Sequence, residues 1–226
     1  MTQRNDDFRW RFSAHEAGAV ALHRHRRGYA ALILSGRYRE RAPEGVWDCR
    51  DGDIVLHPAF HLHSNEVQAG DARVLNIALP DSTALPLDYG VISVHDPARL
   101  IRAPDCRDAL AEALAGTPRA PARSMDWRDD FARALSANPH QCVADLARGL
   151  GLSAAHASRA FRALYTLSPA AFRSEHRLRA ALRQLAQCSP LAEIAQTTGF
   201  ADQAHMTRAF TAAFGISPAR LRGQLI

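Results

Sequence analysis

Histidine is concentrated in the N-terminal third of the chain. Six of the eleven histidines lie between positions 15 and 63: His15, His23, His25, His57, His61 and His63. His23 and His25 are separated by a single residue, so in a β-strand both side chains would point to the same face. Neutral imidazole is a good ligand for Zn²⁺, Ni²⁺ and Fe²⁺. The residue types in this region therefore predict a divalent metal site.

The spacing of glycines and histidines in the same region resembles a cupin. The first cupin motif is matched by Gly18, His23, His25 and Gly36, and the second by Gly52, Pro58 and His63. This resemblance implies that His23, His25 and His63 are the metal ligands, with His61 or His57 as a fourth. The sequence differs from the motifs at Tyr29, where cupins usually have a glutamate ligand, and at Phe60, where they usually have glycine.

A cupin-like domain can also serve as a sensor whose histidines bind no metal and line a pocket for an organic effector. For that alternative we expect Tyr29, Arg37 and Trp47 to supply charge and stacking surface near the same strands. His15 and His95 lie outside the two motifs, and we expect them at the surface or in packing.

The second half of the chain contains an internal repeat. The first copy contains Leu146-Ala147, Gly151, Arg159, Phe161 and Ser168-Pro169. The second contains Ile194-Ala195, Gly199, Arg208, Phe210 and Ser217-Pro218 at the corresponding positions. A repeat at a fixed offset indicates a duplicated supersecondary unit. Each copy is predicted to be a short helix, a glycine-containing turn and a second helix with a basic face. This is the pattern of a helix-turn-helix motif, whose second helix enters the major groove of DNA.

The two copies together resemble the AraC/XylS family of bacterial transcription regulators. The match covers about residues 125–225 and is strongest over Ile194–Phe210 and Phe214–Pro218. In copy one, Ala157 replaces a usual leucine, which leaves less apolar volume under the recognition helix, and Thr166 replaces a usual glycine, so we expect a different turn after that helix. The resemblance implies that the chain binds promoter DNA and, in an activator, contacts RNA polymerase.

The predicted second helix of each copy supplies the candidate DNA contacts. In copy one these are Ala155, His156, Ser158, Arg159 and Arg162, with Phe161 and Leu164 directed to the core. In copy two they are Gln203, Ala204, His205, Thr207 and Arg208, with Thr211 on the same face and Met206, Phe210 and Phe214 directed inward. Arginine can bind guanine and glutamine can bind adenine. The alternatives to base contacts are ion pairs or phosphate contacts for Arg159 and Arg208, and helix packing for His205.

The charge of the chain supports this assignment. Residues 125–226 contain 12 arginines and 7 acidic residues, a net charge of +5, whereas residues 1–124 contain 16 of each. The whole positive excess therefore lies in the half with the repeat, as phosphate binding requires.

The remaining features of the sequence indicate an intracellular protein without a membrane segment. The longest apolar run, 29–34, is too short to span a bilayer, and the N-terminus lacks a signal-peptide pattern. The four cysteines (49, 106, 142 and 188) form no CxxC pair, so we expect reduced thiols. We therefore expect a cytoplasmic, bacterial protein.

These features predict an α+β chain in which a small, cupin-like β-barrel precedes an all-α domain of seven helices with two helix-turn-helix motifs. Short apolar runs at 29–34, 53–56, 74–79 and 91–94 are the predicted strands. The predicted boundaries are a sensor domain over 1–97, a helix and Pro-rich linker over 98–124, and a DNA-binding domain over 125–226.

The predicted function is sequence-specific DNA binding controlled by a small molecule or a divalent metal ion, without enzymatic activity, in a chain that could form a homodimer. Two alternatives remain at this point. One is a metal-dependent cupin enzyme, a dioxygenase or isomerase, fused to a DNA-binding domain. The other is a constitutive DNA-binding protein with a structural cupin.

Overall fold

The computed structural model describes residues 10–68, 70–79, 88–101, 115–122, 126–138, 141–185, 187 and 189–225. The chain divides into two compact units, Met1–Ala122 and Arg123–Ile226. The first unit is built from β-strands and the second from helices, which confirms the predicted order of a β-rich domain followed by an all-α domain.

The strands of the first unit form two antiparallel sheets. In chain order they are β1 (Trp10–His15), β2 (Gly18–Arg24), β3 (Tyr29–Ser35), β4 (Arg37–Ala42), β5 (Gly45–Arg50), β6 (Asp53–His57), β7 (Leu62–Val67), β8 (Ala72–Ala78), β9 (Gly90–Ser93) and β10 (Thr117–Arg119). One sheet has the order β1-β8-β3-β6-β9-β10 and the other β2-β7-β4-β5. Among the described residues, the two sheets do not join into the single closed barrel that was predicted, because their hydrogen-bonded ladders remain separate.

The apolar runs of the sequence become the strands of the core. β3 and β6 are buried along almost their whole length, as expected for central strands covered on both faces. Between the sheets lies a cluster that includes Ile33, Tyr38, Trp47 and Val55. All four predicted strands are confirmed to within two residues at either end.

Part of the predicted linker belongs to the first unit. β10 pairs with β9, and the guanidinium of Arg119 forms an ion pair with the buried carboxylate of Asp53. Pairing and charge compensation thus keep residues 117–119 in the sheet despite their proline. Of the helix predicted over 98–115, the structure shows α1 (Pro97–Ile101), and residues 102–114 lie outside the described residues.

In the described part of the second unit, seven helices follow one another, the number that was predicted. They are α2 (Trp127–Ala137), α3 (Val143–Gly149), α4 (Ala154–Tyr165), α5 (Pro169–Leu185), α6 (Leu191–Thr197), α7 (Gln203–Phe214) and α8 (Pro218–Leu225). α5 and α8 start with proline after a serine whose hydroxyl accepts a backbone N–H, the N-terminal arrangement expected from Ser-Pro.

The duplication extends to individual hydrogen bonds. After α3, the amide of Leu152 donates to the carbonyl of Ala147, and after α6 the amide of Phe200 donates to that of Ala195. The amide of His156 is capped by Ser153 in copy one, and that of His205 by Asp202 in copy two. The two copies therefore build the same helix-turn-helix backbone.

The turn after each second helix is also the same, contrary to the expectation for Thr166. Thr166 has φ 60° and its amide donates to the carbonyl of Arg162, whereas Gly215 has φ 70° and donates to the carbonyl of Thr211. Glycine adopts this left-handed conformation readily, but a β-branched residue is strained there. The closing turn of copy one therefore keeps the geometry of copy two at a cost in backbone strain.

Candidate metal centre and nucleic-acid interface

Strand pairing brings the N-terminal histidines together. β2 pairs with β7 so that His23 lies opposite His63, and the centroids of the two rings are 4.3 Å apart. In the other sheet, β3 pairs with β6 so that Tyr29 lies opposite His57, and these rings stack at 4.4 Å. Side chains from both sheets thus meet in one cluster, which we call the histidine cluster: His23, His25, His57, His61 and His63.

One part of the histidine cluster is the predicted ligand set. One ring nitrogen from each of His23, His25 and His63 lies within 4.8 Å of the others. The Nε2 atoms of His23 and His25 are 3.1 Å apart, close to the ~3.3 Å that separates two nitrogens of a tetrahedral zinc site with Zn–N bonds near 2.0–2.1 Å. We call these three residues the outer set.

The hydrogen bonds of His23 orient both of its nitrogens, and a metal ion at Nε2 would replace the bond between Nε2 of His23 and Nε2 of His25. Its Nδ1 lies 2.8 Å from the carbonyl oxygen of Ala21, so the network assigns the proton to Nδ1 and the lone pair to Nε2. A second partner that fixes the tautomer is the usual way in which a metal-binding histidine is oriented.

A second part of the histidine cluster consists of His57, His61 and His63, which we call the inner set. All three are buried, and one ring nitrogen of each lies within 4.8 Å of the others. The Nε2 atom of His61 is 2.9 Å from Oε2 of Glu44, and that of His57 is 3.8 Å from Oε1 of Glu40. In the sequence these three histidines lie within seven residues. From that spacing, His57 and His61 were predicted only as alternative fourth ligands of the outer set.

Burial keeps this interior electrically neutral. It lowers the pKa of His57 and of His63 well below the usual range, and the neighbouring histidines lower both further. Burial also raises the pKa of Glu40 well above its usual range, with a smaller contribution from Glu44. Both shifts therefore favour the uncharged forms of His57 and Glu40. Neutral imidazole is the form that binds metal ions.

The histidine cluster borders a cavity of about 370 Å³. His23, His25 and His57 line it on one side, and the other lining residues include Arg11, His15, Arg27, Tyr29 and Asn76. His15 thus has a place at the cavity that was not predicted. Its pKa is lowered by burial.

Two of the three residues predicted for an effector pocket lie elsewhere. Arg37 is exposed at the start of β4, and Trp47 is buried in the core, with its ring edge-on to Tyr89 at 5.0 Å. Neither is among the described residues that line the cavity. Burial does alternate along β4 and the second half of β5, but it puts Arg37 on the exposed face and Trp47 in the core rather than at the cavity. His95, by contrast, is exposed as expected.

The two departures from the cupin motifs have structural consequences. The hydroxyl of Tyr29 lies 3.1 Å from Nε2 of His63. At the position where cupins have a glutamate ligand, this chain therefore has a tyrosine that contacts one of the predicted histidine ligands. Phe60 has φ 60° and retains the left-handed conformation that glycine adopts most readily. The backbone before His63 thus keeps a glycine-like shape with a phenylalanine in it.

The predicted outer face of α4 is accessible. Ala155, His156, Arg159 and Arg162 are exposed, and Ser158 is half-buried. The predicted core needs one correction. Leu164 is half-buried, whereas Tyr165 is buried, because its ring stacks on Phe161 at 4.5 Å and its hydroxyl donates to Asp129.

The outer face of α7 is also accessible. Gln203, Ala204, Arg208 and Thr211 are exposed, with Thr207 half-buried. On the inner face, Met206 and Phe210 are buried, whereas Phe214 is half-buried.

His205 takes part in packing within copy two. Its Nδ1 accepts the amide of Ala201 at 3.3 Å, and its ring lies edge-on to Phe200 at 5.4 Å. These contacts support the packing role for this histidine.

The arginines on the two outer faces are free for an external partner. Among the described residues, none forms an ion pair with Arg159, Arg162 or Arg208. All three are exposed. The ion-pair alternative is therefore not supported within the described part of the chain.

Comparison with known families now identifies this region. Residues 146–224, which span both helix-turn-helix copies, match a family described as a helix-turn-helix domain. The C-terminal unit contains an AraC-type helix-turn-helix domain. In a helix-turn-helix architecture, the exposed faces of α4 and α7 are the surfaces presented to the major groove.

Solved structures give weaker similarities. The chain is similar to ToxT from Vibrio cholerae O395 bound to (E)-4-(8-methylnaphthalen-1-yl)but-3-enoic acid, at 9% identity over 96% of this chain and 98% of that chain, with a TM-score of 0.45. The AraC-type domain is similar to the C-terminal domain of AraT, a response regulator from Geobacillus stearothermophilus (21% identity, 46% and 88% of the chains, TM-score 0.43).

It is also similar to the DNA-binding domain of the global transcriptional factor AdpA in complex with a target DNA (27% identity, 44% and 92%, TM-score 0.41). At these TM-scores the likeness is one of outline. A search of curated protein sequences finds no significant match. Among the described helices, none has both the length and the apolar composition needed to cross a bilayer.

Proposed function

We propose that this chain is a one-component transcription regulator in which the β-unit binds a divalent transition-metal ion and thereby changes the affinity of the AraC-type domain for promoter DNA. The observation that carries the sensing half is the outer set, whose three ring nitrogens converge at the edge of the cavity. Zn²⁺, Ni²⁺ and Fe²⁺ are the ions that an imidazole site with open positions prefers.

The chemistry of the outer set fits such an ion. Burial favours the neutral form of His63, and Nδ1 of His23 faces a carbonyl oxygen, so Nε2 of His23 would turn its lone pair from His25 to the ion. The remaining coordination positions would face the cavity that His23 and His25 line. An ion there has room for water or for a small ligand, so the same site could report on a metal ion alone or on a metal–ligand pair.

Metal binding would control DNA binding by shifting a conformational equilibrium. An ion that binds one conformation of the chain more tightly than another increases the population of that conformation. Coupling of this kind typically changes the affinity at the second site by about 5–150-fold. The expected response of DNA affinity to metal therefore lies in that range.

The test begins with the metal-free full chain, for which a binding site is selected from random duplex DNA. The dissociation constant for that DNA is then measured with and without Zn²⁺, Ni²⁺ or Fe²⁺. We expect at least a 5-fold change with one of these ions, and no change in a His25→Gln variant. His95→Gln, at an exposed position outside the cavity, is the matched control. DNA affinity that stays the same with every ion rules out metal sensing but leaves DNA binding in place.

A second candidate is sensing of an organic effector, which the cavity supports. Its lining combines apolar residues such as Val20 and Val74 with Arg11 and Arg27, a composition typical of a small-molecule site. An organic effector would change DNA affinity in metal-free protein, so the same binding assay with the metal-free chain and candidate metabolites separates the two proposals.

A further inference from the structure

The inner set carries an inference beyond this sensor. His57, His61 and His63 lie deeper than His23 and His25, with about 1% of each residue exposed to solvent. Of the three, His57 alone is among the described residues that line the cavity. A buried group of three imidazoles is unusual in a protein core, because each ring brings two polar nitrogens that need partners.

The inner set has polar atoms without partners. Among the described residues, no group hydrogen-bonds to Nδ1 of His57 or to Nδ1 of His61, and both atoms are buried. Oε1 of Glu40, next to His57, also has no hydrogen-bond partner in that part of the chain. Leaving a buried polar atom unsatisfied typically costs about 1–3 kcal/mol. Two of these atoms belong to histidines of the inner set, whose ring nitrogens converge within 4.8 Å, so an ion bound there would supply a missing partner.

The contacts of His61 and His57 leave the Nδ1 atom of each ring without a hydrogen-bond partner. The Nε2 atom of His61 faces the carboxylate of Glu44 at 2.9 Å, so this nitrogen carries the proton and Nδ1 the lone pair. A carboxylate behind a ligating imidazole is a common arrangement around protein-bound metal ions. In His57, Nδ1 is also without a partner, and Nε2 lies 3.8 Å from Oε1 of Glu40, beyond hydrogen-bond distance.

We propose that His57, His61 and His63 form a second metal-binding site, buried behind the outer set, and that a divalent ion occupies one set or the other because the two share His63. The Nδ1 atom of His63 lies 3.3 Å from the carbonyl oxygen of His61, so Nε2 carries its lone pair. A neutral imidazole has a single lone pair for one ion. The chain therefore binds one ion at a time.

This inference builds on the proposed sensor, since both need His63, but the two fail separately. The inner site holds an ion away from the cavity, whereas the outer site exposes it. Occupancy of one site or the other would give the regulator two metal-bound forms. The ligand chemistry is the same in both cases, three imidazoles, so the same class of ion fits.

The test uses Co²⁺ as a probe, because its visible absorption reports on the number and type of its ligands. The full chain, stripped of metal, is titrated with Co²⁺, and the stoichiometry, affinity and spectrum are compared among variants. We expect one equivalent of Co²⁺ in the parent. His25→Gln, which breaks the outer set alone, should still bind one equivalent, and so should His61→Gln, which breaks the inner set alone. Their spectra should differ, because an ion in the outer set would also bind water from the cavity that His23 and His25 line.

The double variant His25→Gln/His61→Gln and the single variant His63→Gln should each lose at least 100-fold in affinity. Thermal melting of every variant without metal checks that the β-unit is folded, and His95→Gln is the neutral control. The proposal is overturned if folded His25→Gln binds no Co²⁺ while the parent does, since the outer set is then the whole site. It is equally overturned if His61→Gln and His57→Gln reproduce the spectrum and affinity of the parent. If the parent binds no ion, both the inner site and metal sensing fail, whereas DNA binding is unaffected.

Discussion

The two units of this chain place their polar chemistry in opposite environments. In the β-unit, imidazoles and a carboxyl group are buried between two sheets, and burial shifts the pKa values of His57, His63 and Glu40 towards the neutral forms. In the AraC-type domain, the arginines of α4 and α7 are exposed, charged and without ion-pair partners among the described residues. A buried neutral group suits a small ion that loses its water shell, whereas an exposed cation suits a large polyanion. The following predictions test this difference, beginning with the largest effect.

Salt should separate the two binding activities. Arginines that neutralise phosphates release counterions, so the logarithm of DNA affinity should fall linearly with that of salt concentration, by about 0.9 for each phosphate contacted. With about six such contacts, affinity falls by roughly 10³-fold between 50 and 200 mM salt. Metal affinity of the buried histidines should change little over this range, because buried sites are screened weakly. Fluorescence anisotropy with labelled DNA, and Co²⁺ titration, measure the two. A flat DNA response would contradict the exposed-cation surface.

Removing one exposed arginine should affect DNA binding alone. Arg208→Ala is expected to cost about 1–3 kcal/mol on the selected site and to relax the preference at one base pair, if Arg208 contacts a guanine edge. Arg159→Ala is the matched variant in copy one, for which we expect a smaller loss. Metal affinity should be unchanged in both variants. Equal losses on selected and random DNA would make Arg208 a phosphate contact instead.

Acid should destabilise the β-unit. The pKa values of His57 and His63 are lowered in the folded chain, so between about pH 6.5 and 5 the unfolded chain binds protons there and the folded chain does not. The raised pKa of Glu40 acts in the opposite direction, because the folded chain keeps a proton there that the unfolded chain has lost. With two histidines against one carboxyl group, we expect the stability of the β-unit to fall as the pH falls below about 6.5.

Hydrogen exchange followed by mass spectrometry measures this for each unit separately. Peptides of β3, β6 and β7 should lose protection as the pH is lowered from 6.5 to 5, after correction for the intrinsic exchange rate. Peptides of α5 and α7 serve as the comparison, because the histidines whose pKa is lowered lie in the β-unit. Equal protection of β6 at the two pH values would show that its histidines are not held in the neutral form.

The smallest expected effect compares the two copies within the AraC-type domain. Thr166→Gly should stabilise this domain by about 1 kcal/mol, because glycine relieves the strain of a left-handed β-branched residue. The reverse change, Gly215→Thr, should destabilise it by about 1–3 kcal/mol. A Cβ atom at Gly215 would meet no neighbour within 4 Å, so backbone strain alone would be measured. Chemical denaturation of the full chain, followed by the fluorescence of Trp127 in a Trp10→Phe/Trp47→Phe background, gives both values. A loss of stability in Thr166→Gly would show that the bond from the Thr166 hydroxyl to the carbonyl of Tyr165 outweighs the strain.

The sequence by itself determined the helical domain and its type. Helix periodicity, the Ser-Pro pairs at helix N-termini and the repeat are all features of the local sequence. The structure forms the corresponding local hydrogen bonds, as at the helix caps Ser153 and Asp202. The Arg-rich outer faces followed from the same periodicity. In the β-unit, the sequence also located the strands and placed His23 and His25 together.

Tertiary structure alone decided which distant side chains meet. Strand register brings His63 opposite His23 and His57 opposite Tyr29. A one-residue shift of register would direct each of these side chains to the other face of its sheet. Local sequence does not encode this register, which explains why Arg37 and Trp47 were assigned to a pocket that they do not line. For the same reason, His57 and His61 were expected only as a fourth ligand and not as an inner set with His63. Their partners lie on other strands, and only packing of the two sheets brings them within reach.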